Sequence, residues 1–228
     1  MLGGAMSEAP TASPIDPAAP DSGRLTQAER RERSEQELLE ATMRVVSANG
    51  VAAATFDAIG KEAGYSRGLV TQRFGSKDGL IRSLISALHG WQRDALDEAD
   101  VERMDGLSAL CAFVDLHCRS LDGREEDKAY YMLLAAAVAD RLETRAAFAE
   151  SHDVERVLIR GLIERGQAEG SIRKDADADA TALMAGCALI GIRMQNMIDP
   201  GTEIAPIRDS LIQSLRARLA PVRGGGKE

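Results

Sequence analysis

TFDAIGKEAGYSRGLVTQRFGSKDGL, residues 55–80, reads as two short helices joined by a tight turn and followed at once by the start of a third. Thr55 is placed to cap the first, its hydroxyl accepting a free backbone N–H of the opening turn, with Asp57 at the positive helix end. Phe56, Ile59 and Ala63 recur at helical spacing and form one apolar face. Gly64 suits the left-handed conformation that ends a helix, and Tyr65 is expected to tuck its ring into the junction. Ser66 caps the second helix, 67–74, in which Val70 and Phe74 alone point inward. Gly75 ends it and Ser76 caps the third. A segment this short, with so few core positions, suits a helix-turn-helix: the first helix supports while the second lies in the major groove with its N-terminal residues on base edges. Arg67 suits a guanine edge or a phosphate, Gly68 a close backbone approach, and Arg73 and Lys77 phosphates.

The stretch resembles the TetR family of regulators, matching that pattern without gaps at Thr55, Ile59, Ala63, Gly64, Ser66, Gly68, Phe74, Ser76, Lys77 and Leu80. It departs where Gly60 replaces alanine, Tyr65 a small aliphatic residue, Thr71 the usual tyrosine and Arg73 the usual histidine. Arginine can contact phosphate as the histidine does, whereas threonine is shorter. Gly60 costs a helix about 1 kcal/mol against alanine, and closer packing on the first helix of the domain is expected to offset this. The DNA-contacting set expected from the resemblance is Thr55, Ser66, Arg67, Gly68, Leu69, Thr71, Arg73 and Lys77.

Composition sets bounds around this segment. The 228-residue chain can bury a substantial core. Its first 23 residues carry no Lys or Arg and no continuous apolar run, so no signal peptide is expected, and no apolar run long enough for a bilayer is apparent. Three cysteines without paired short spacing fit a reduced, cytoplasmic protein. The net charge of −8 is unevenly spread. Residues 24–77 hold nine Lys/Arg against seven Asp/Glu, whereas 78–228 hold 19 against 26. An acidic body repels DNA from its other faces and helps orient docking.

The expected fold is all-α. Residues 1–23, with four of the seven prolines, read as a disordered arm. Residues 24–76 form the helix-turn-helix domain. Its first helix opens on a Thr26/Glu29 capping box, carries the inner stripe Leu38, Ala41, Thr42 and Val45, and ends near Gly50. The resemblance implies that Arg30, Arg31 and Arg33 at its start approach the DNA backbone as a group, while each singly, interleaved with Glu29, Glu32 and Glu35, reads as part of a solvated charged face. Residues 77–221 form a helical effector-binding and dimerisation domain, of which 77–98 is a lever joining the two, and 222–228 are a disordered tail. Further helices are expected at about 107–121, ending in an Asp122–Gly123 turn, then 127–140, 143–150 and 152–169. Residues 176–198 are apolar nearly all round, a pattern that demands burial on most sides; Gly186 and Gly191 would admit a close helix. The final helix bears one apolar stripe. A helix-pair interface with a second copy follows, through Leu183, Gly186, Ile190, Met194, Ile204, Ile207, Leu211 and Leu215. The resemblance implies the same place for it, and a homodimer reads two half-sites of a palindrome.

The resemblance also implies an effector site in the body. Trp91, Leu110, Phe113, Val114, His117, Tyr130, Tyr131, Leu134, Met184 and Cys187 are the expected lining, with His117 and Tyr130 as polar anchors. With 4% aromatic residues an aliphatic or acyl ligand is favoured. The implied function is a dimeric, cytoplasmic repressor released from a palindromic operator in double-stranded DNA by a small molecule. No cofactor and no membrane partner are expected. A metal- or redox-responsive regulator using Cys111 and Cys118 is the alternative, because residues seven apart share a helical face; zinc, however, prefers tighter clusters of three or four ligands. An enzyme is not expected. There is no phosphate loop, dinucleotide fingerprint, Gly-x-Ser-x-Gly or His-Glu-x-x-His, and His89, His117 and His152 are scattered in sequence.

Overall fold

The computed structural model describes residues 25–119, 125–140 and 142–221. The expected arm, the Asp122–Gly123 turn and the tail lie outside these. Among the described residues nine α-helices follow in order: α1 (Gln27–Asn49), α2 (Phe56–Ala63), α3 (Arg67–Phe74), α4 (Lys77–Glu98), α5 (Gly106–Arg119), α6 (Glu125–Ala139), α7 (Arg145–Glu169), α8 (Ala178–Ile198) and α9 (Ile204–Leu219), with 3-10 turns at Val51–Ala53 and Val101–Arg103.

The local signals act where the sequence puts them. Thr26 and Glu29 close a reciprocal capping box on α1. Thr55, Ser66 and Ser76 cap α2, α3 and α4, each accepting a backbone N–H three residues on. One expected boundary is absent: 143–150 and 152–169 are a single helix, α7. Ser151 resembles a cap in sequence but is buried, and its hydroxyl bonds across to His89 and Tyr130 instead of turning back on its own backbone.

Two hydrophobic clusters divide the molecule. The first contains Leu38, Met43, Val46, Ile59, Val70, Phe74, Leu80 and Leu84, and continues without a break into Tyr130, Leu133 and Phe148. The N-terminal helices α1–α3 therefore pack on α6 and the start of α7, so α4 is not their sole link to the body. The second holds Leu110, Phe113, Val114, Ile159, Ile163, Leu189, Leu215 and Leu219, and unites α5, α7, α8 and α9. At its edge α5 and α7 cross at Gly106 and Gly166, where a Cβ on Gly106 would collide with the α7 backbone.

α8 corrects one expectation. At 21 residues it is long and apolar enough by length and composition to cross a membrane, yet it packs on α7 and α5 and holds a buried arginine, Arg193. Leu183, Met184 and Ile198 are exposed in the single chain, an apolar face of the kind expected to meet a second copy. A Cβ on Gly186 or Gly191 would meet nothing, so no helix of the same chain approaches there. Of the expected interface residues, Leu183 and Ile207 are exposed. Gly186 is half-buried, Ile190 and Met194 pack against the first cluster, and Ile204 and Leu211 against the second. Leu215 is corrected outright: at 1% exposure it belongs to the core of its own chain.

Candidate nucleic-acid interface and internal cavity

The turn between α2 and α3 is built tightly. Gly64 takes φ +76°, and the Tyr65 N–H donates to the Gly60 carbonyl at 2.7 Å. A Cβ on Gly60 would stand 2.8 Å from the Tyr65 carbonyl oxygen. The glycine thus serves the α2–α3 junction, not packing on α1 as the sequence suggested. Gly60→Ala is expected to lower the melting temperature: overpacking costs about 1–3 kcal/mol, against about 1 kcal/mol of helix propensity gained. A variant melting at or above the parent temperature would refute this. Tyr65 adds a second tie. Its half-buried ring joins the first cluster, and its hydroxyl donates to the Glu37 carboxylate on α1, which raises the phenol above its ordinary value.

This frame leaves one face of α3 open. Val70 and Phe74 are buried, whereas Ser66, Arg67, Gly68, Thr71 and Gln72 are exposed and Leu69 is half-buried. Arg67 rests on Asp57 at 3.2 Å with both side chains mostly solvated, a pair that contributes little and opens readily. A Cβ on Gly68 would meet only Ser66 Oγ at 3.7 Å, so the fold does not require glycine there. Thr71 donates to the Arg67 carbonyl at 3.1 Å. Arg73 turns inward: its Nε and Nη2 donate to Ser34 Oγ on α1 at 3.2 and 3.0 Å. Ser34 is buried, so this arginine anchors α3 to α1 through groups the sequence assigned to phosphate. Thr55 and Lys77 are exposed at the starts of α2 and α4. Gln72 was missed from sequence. Its position, one helical turn after Gly68 on the same face, was the available signal.

The second feature is a cavity of about 120 Å³ between the two hydrophobic clusters, where α4, α5, α6, α7 and α8 meet. Trp91, His117, Tyr130 and Tyr131 line it as expected from sequence. The other expected residues lie elsewhere. Leu110, Phe113 and Val114 are core of the second cluster, Leu134 packs on the first, and Met184 and Cys187 sit on the outer face of α8. In their place stand Leu88, His89, Gln92, Ser151, Glu155 and Arg193.

The polar lining forms a connected set. His117 Nε2 lies 3.1 Å from Glu155 Oε1 and 2.8 Å from the Gln92 amide nitrogen. Arg193, buried, donates to the His117 carbonyl at 3.0 Å and lies over the Tyr131 ring. Ser151 bridges His89 Nε2 at 2.9 Å and Tyr130 Oη at 3.2 Å. Burial pushes Tyr130 up to about 12, so its hydroxyl stays protonated. Burial likewise pushes His89 and His152 down, favouring neutral imidazoles. Burial works against the Glu155 carboxylate, but His117, His152 and Arg193 outweigh it and hold the group below its ordinary value. The scattered histidines of the sequence thus converge on one carboxylate.

Cys111 and Cys118 are buried, and burial raises both thiols, away from the thiolate that metal or redox chemistry needs. Among the described residues no three His, Cys, Asp or Glu side chains are grouped to hold a metal ion.

Residues 38–84 match the family model described as bacterial regulatory proteins, tetR family. A search of curated proteins finds no match. Solved structures share the fold. A putative TetR-family transcriptional regulator from Rhodococcus sp. is 18% identical, with a TM-score of 0.73 over 83% of this chain and 100% of that one. A putative transcriptional regulator from Saccharomonospora viridis in complex with choline is 20% identical, with a TM-score of 0.67 over 84% of this chain and 100% of the other. The regulator FadR from Bacillus subtilis in complex with stearoyl-CoA is 17% identical, with a TM-score of 0.66 over 80% and 97%. At these identities the likeness establishes the all-α architecture and leaves the chemistry to the residues.

Proposed function

We propose that the protein is a regulator of the TetR family, whose model its residues 38–84 match, and that it binds a palindromic operator as a homodimer and releases it when a small molecule occupies the cavity. The observation that carries the reading is α3, whose exposed Arg67, Gly68, Thr71 and Gln72 have no structural task that the fold requires. Ser66 and Lys77 bracket this face with exposed groups suited to phosphate. Pairing through the exposed apolar residues of α8 and α9 sets two reading helices in two successive major grooves. Structural neighbours solved with choline and with stearoyl-CoA support a ligand role for the body.

The release mechanism follows from the two clusters. The reading helices share one cluster with α6, and α8 and α9 belong mainly to the other. A ligand at the seam that prefers one relative placement shifts the spacing of the two reading helices, by as much as its differential affinity allows. The test is a footprint on genomic fragments, including the protein's own promoter region, at several salt concentrations. A protected palindrome with half-sites about one helical turn apart is expected, weakening steeply as salt rises. No specific protection at low salt by the folded dimer, with or without small-molecule extracts, would overturn the reading.

A further inference from the structure

Resting on the reading of the chain as an effector-responsive regulator, we propose that the seam cavity takes a short-chain monocarboxylate, its charge balanced by one proton taken up on the surrounding imidazoles.

Size makes the first cut. An apolar cavity of about 150 Å³ holds benzene, so a cavity of about 120 Å³ holds a molecule of similar size or smaller. Drug-sized ligands fill roughly 300–1,000 Å³. A tail of a few carbons fits against Leu88, Ala95, Leu96 and Leu116, and the rest of a long acyl chain would project out of the cavity into solvent.

Charge makes the second. The charged and titratable groups lining the cavity are His89 from α4, His117 from α5, Tyr130 and Tyr131 from α6, Glu155 from α7 and Arg193 from α8. Exposed Arg93 on α4 and His152 on α7 act on His89 from outside this lining. Inside, Glu155 and Arg193 offset one another, and the remaining ionisable partners are imidazoles and phenols. A bound cation would need a second carboxylate, and among the described residues Glu155 alone lines the cavity with one. A bound anion needs one positive charge, which an imidazole supplies near neutral pH by taking a proton from solvent. Uncompensated charge in a buried site is costly, so the cavity discriminates by sign. Burial keeps His89 neutral when the site is empty, and an anion beside it restores its affinity for a proton. The hydroxyls of Ser151 and Tyr130 and the Gln92 amide supply neutral donors.

The test uses the full-length protein without DNA. Butyrate, n-butylammonium, n-butanol and octanoate serve as probes in titration calorimetry at pH 6, 7 and 8 and constant ionic strength. Butyrate is expected to bind best. Its affinity should fall about tenfold from pH 7 to pH 8, as the linked uptake of one proton requires, and its heat should change with the ionisation enthalpy of the buffer. Arg193→Gln is expected to weaken butyrate at least about tenfold, the scale of one lost charge-assisted hydrogen bond; if this variant does not fold, the pH series on the parent protein decides alone. Butylammonium binding as tightly as butyrate, octanoate binding more tightly, affinity for butyrate that rises with pH, or no binding of any probe at 10 mM each overturns the proposal. Loss of the operator footprint with butyrate binding intact overturns the regulatory reading alone. A protected operator with no butyrate binding overturns the ligand class alone.

Discussion

Replacing Arg67 and Lys77 together by alanine is expected to abolish specific operator binding while leaving the dimer folded. One bidentate contact to a guanine edge discriminates by about 1–3 kcal/mol. A symmetric dimer makes it twice, so Arg67→Ala alone is expected to cost about 2–6 kcal/mol, roughly 30-fold to 10⁴-fold in affinity. Lys77→Ala has a different signature. As a phosphate contact at each half-site it should weaken all sequences alike and reduce the slope of log affinity against log salt by about 2. Both side chains are exposed and outside the core, and the Arg67–Asp57 pair is solvated, so melting temperatures should hardly move. Fluorescence anisotropy with a labelled operator over a range of salt separates the roles. A double variant that retains specific affinity within a factor of three would remove α3 as the reading helix.

Phe113→Ala is expected to be the most destabilising single truncation in the body. The ring is 0% exposed in the second cluster and lies 4.3 Å from the His117 imidazole. Truncating a buried phenylalanine to alanine costs about 3–5 kcal/mol. For a chain of this size that is about 6–20 °C in melting temperature, readable by calorimetry or circular dichroism. The result bears on function, because the Phe113 ring packs against the His117 imidazole at the cavity wall. Were Phe113 a ligand contact, as the sequence reading supposed, the variant would melt near the parent temperature and lose affinity for its ligand. A shift below about 2 °C would restore that reading.

The helix-turn-helix was legible because each of its parts is local. Caps at Thr55, Ser66 and Ser76, a left-handed Gly64 and the inward pair Val70 and Phe74 are decided within one or two helical turns, whatever the rest of the chain does. Arg73 shows where that locality ends. Its charge and place suggested phosphate, but its nearest acceptor is Ser34, 39 residues earlier in the chain and brought into reach by the packing of α1. Leu215 errs in the same way. The apolar stripe of α9 was visible, but which part faces its own core and which part faces outward depends on the angle at which α9 meets α5.

The sequence by itself determined the class of the fold, most of the helix boundaries and the helix-turn-helix segment. These rest on hydrophobic period, capping and turn chemistry, all short-range. It also contained every residue of the cavity, but without any mark of their association. His89, His117, Glu155 and Arg193 lie on four helices, separated by up to about a hundred residues. Only the packing of α4, α5, α7 and α8 sets their side chains around one space. The division into two hydrophobic clusters, with polar groups at the seam, is likewise a tertiary result. A buried polar residue leaves the same trace in sequence as a solvated one, and its burial becomes physical fact only when its partners from other helices arrive to satisfy it.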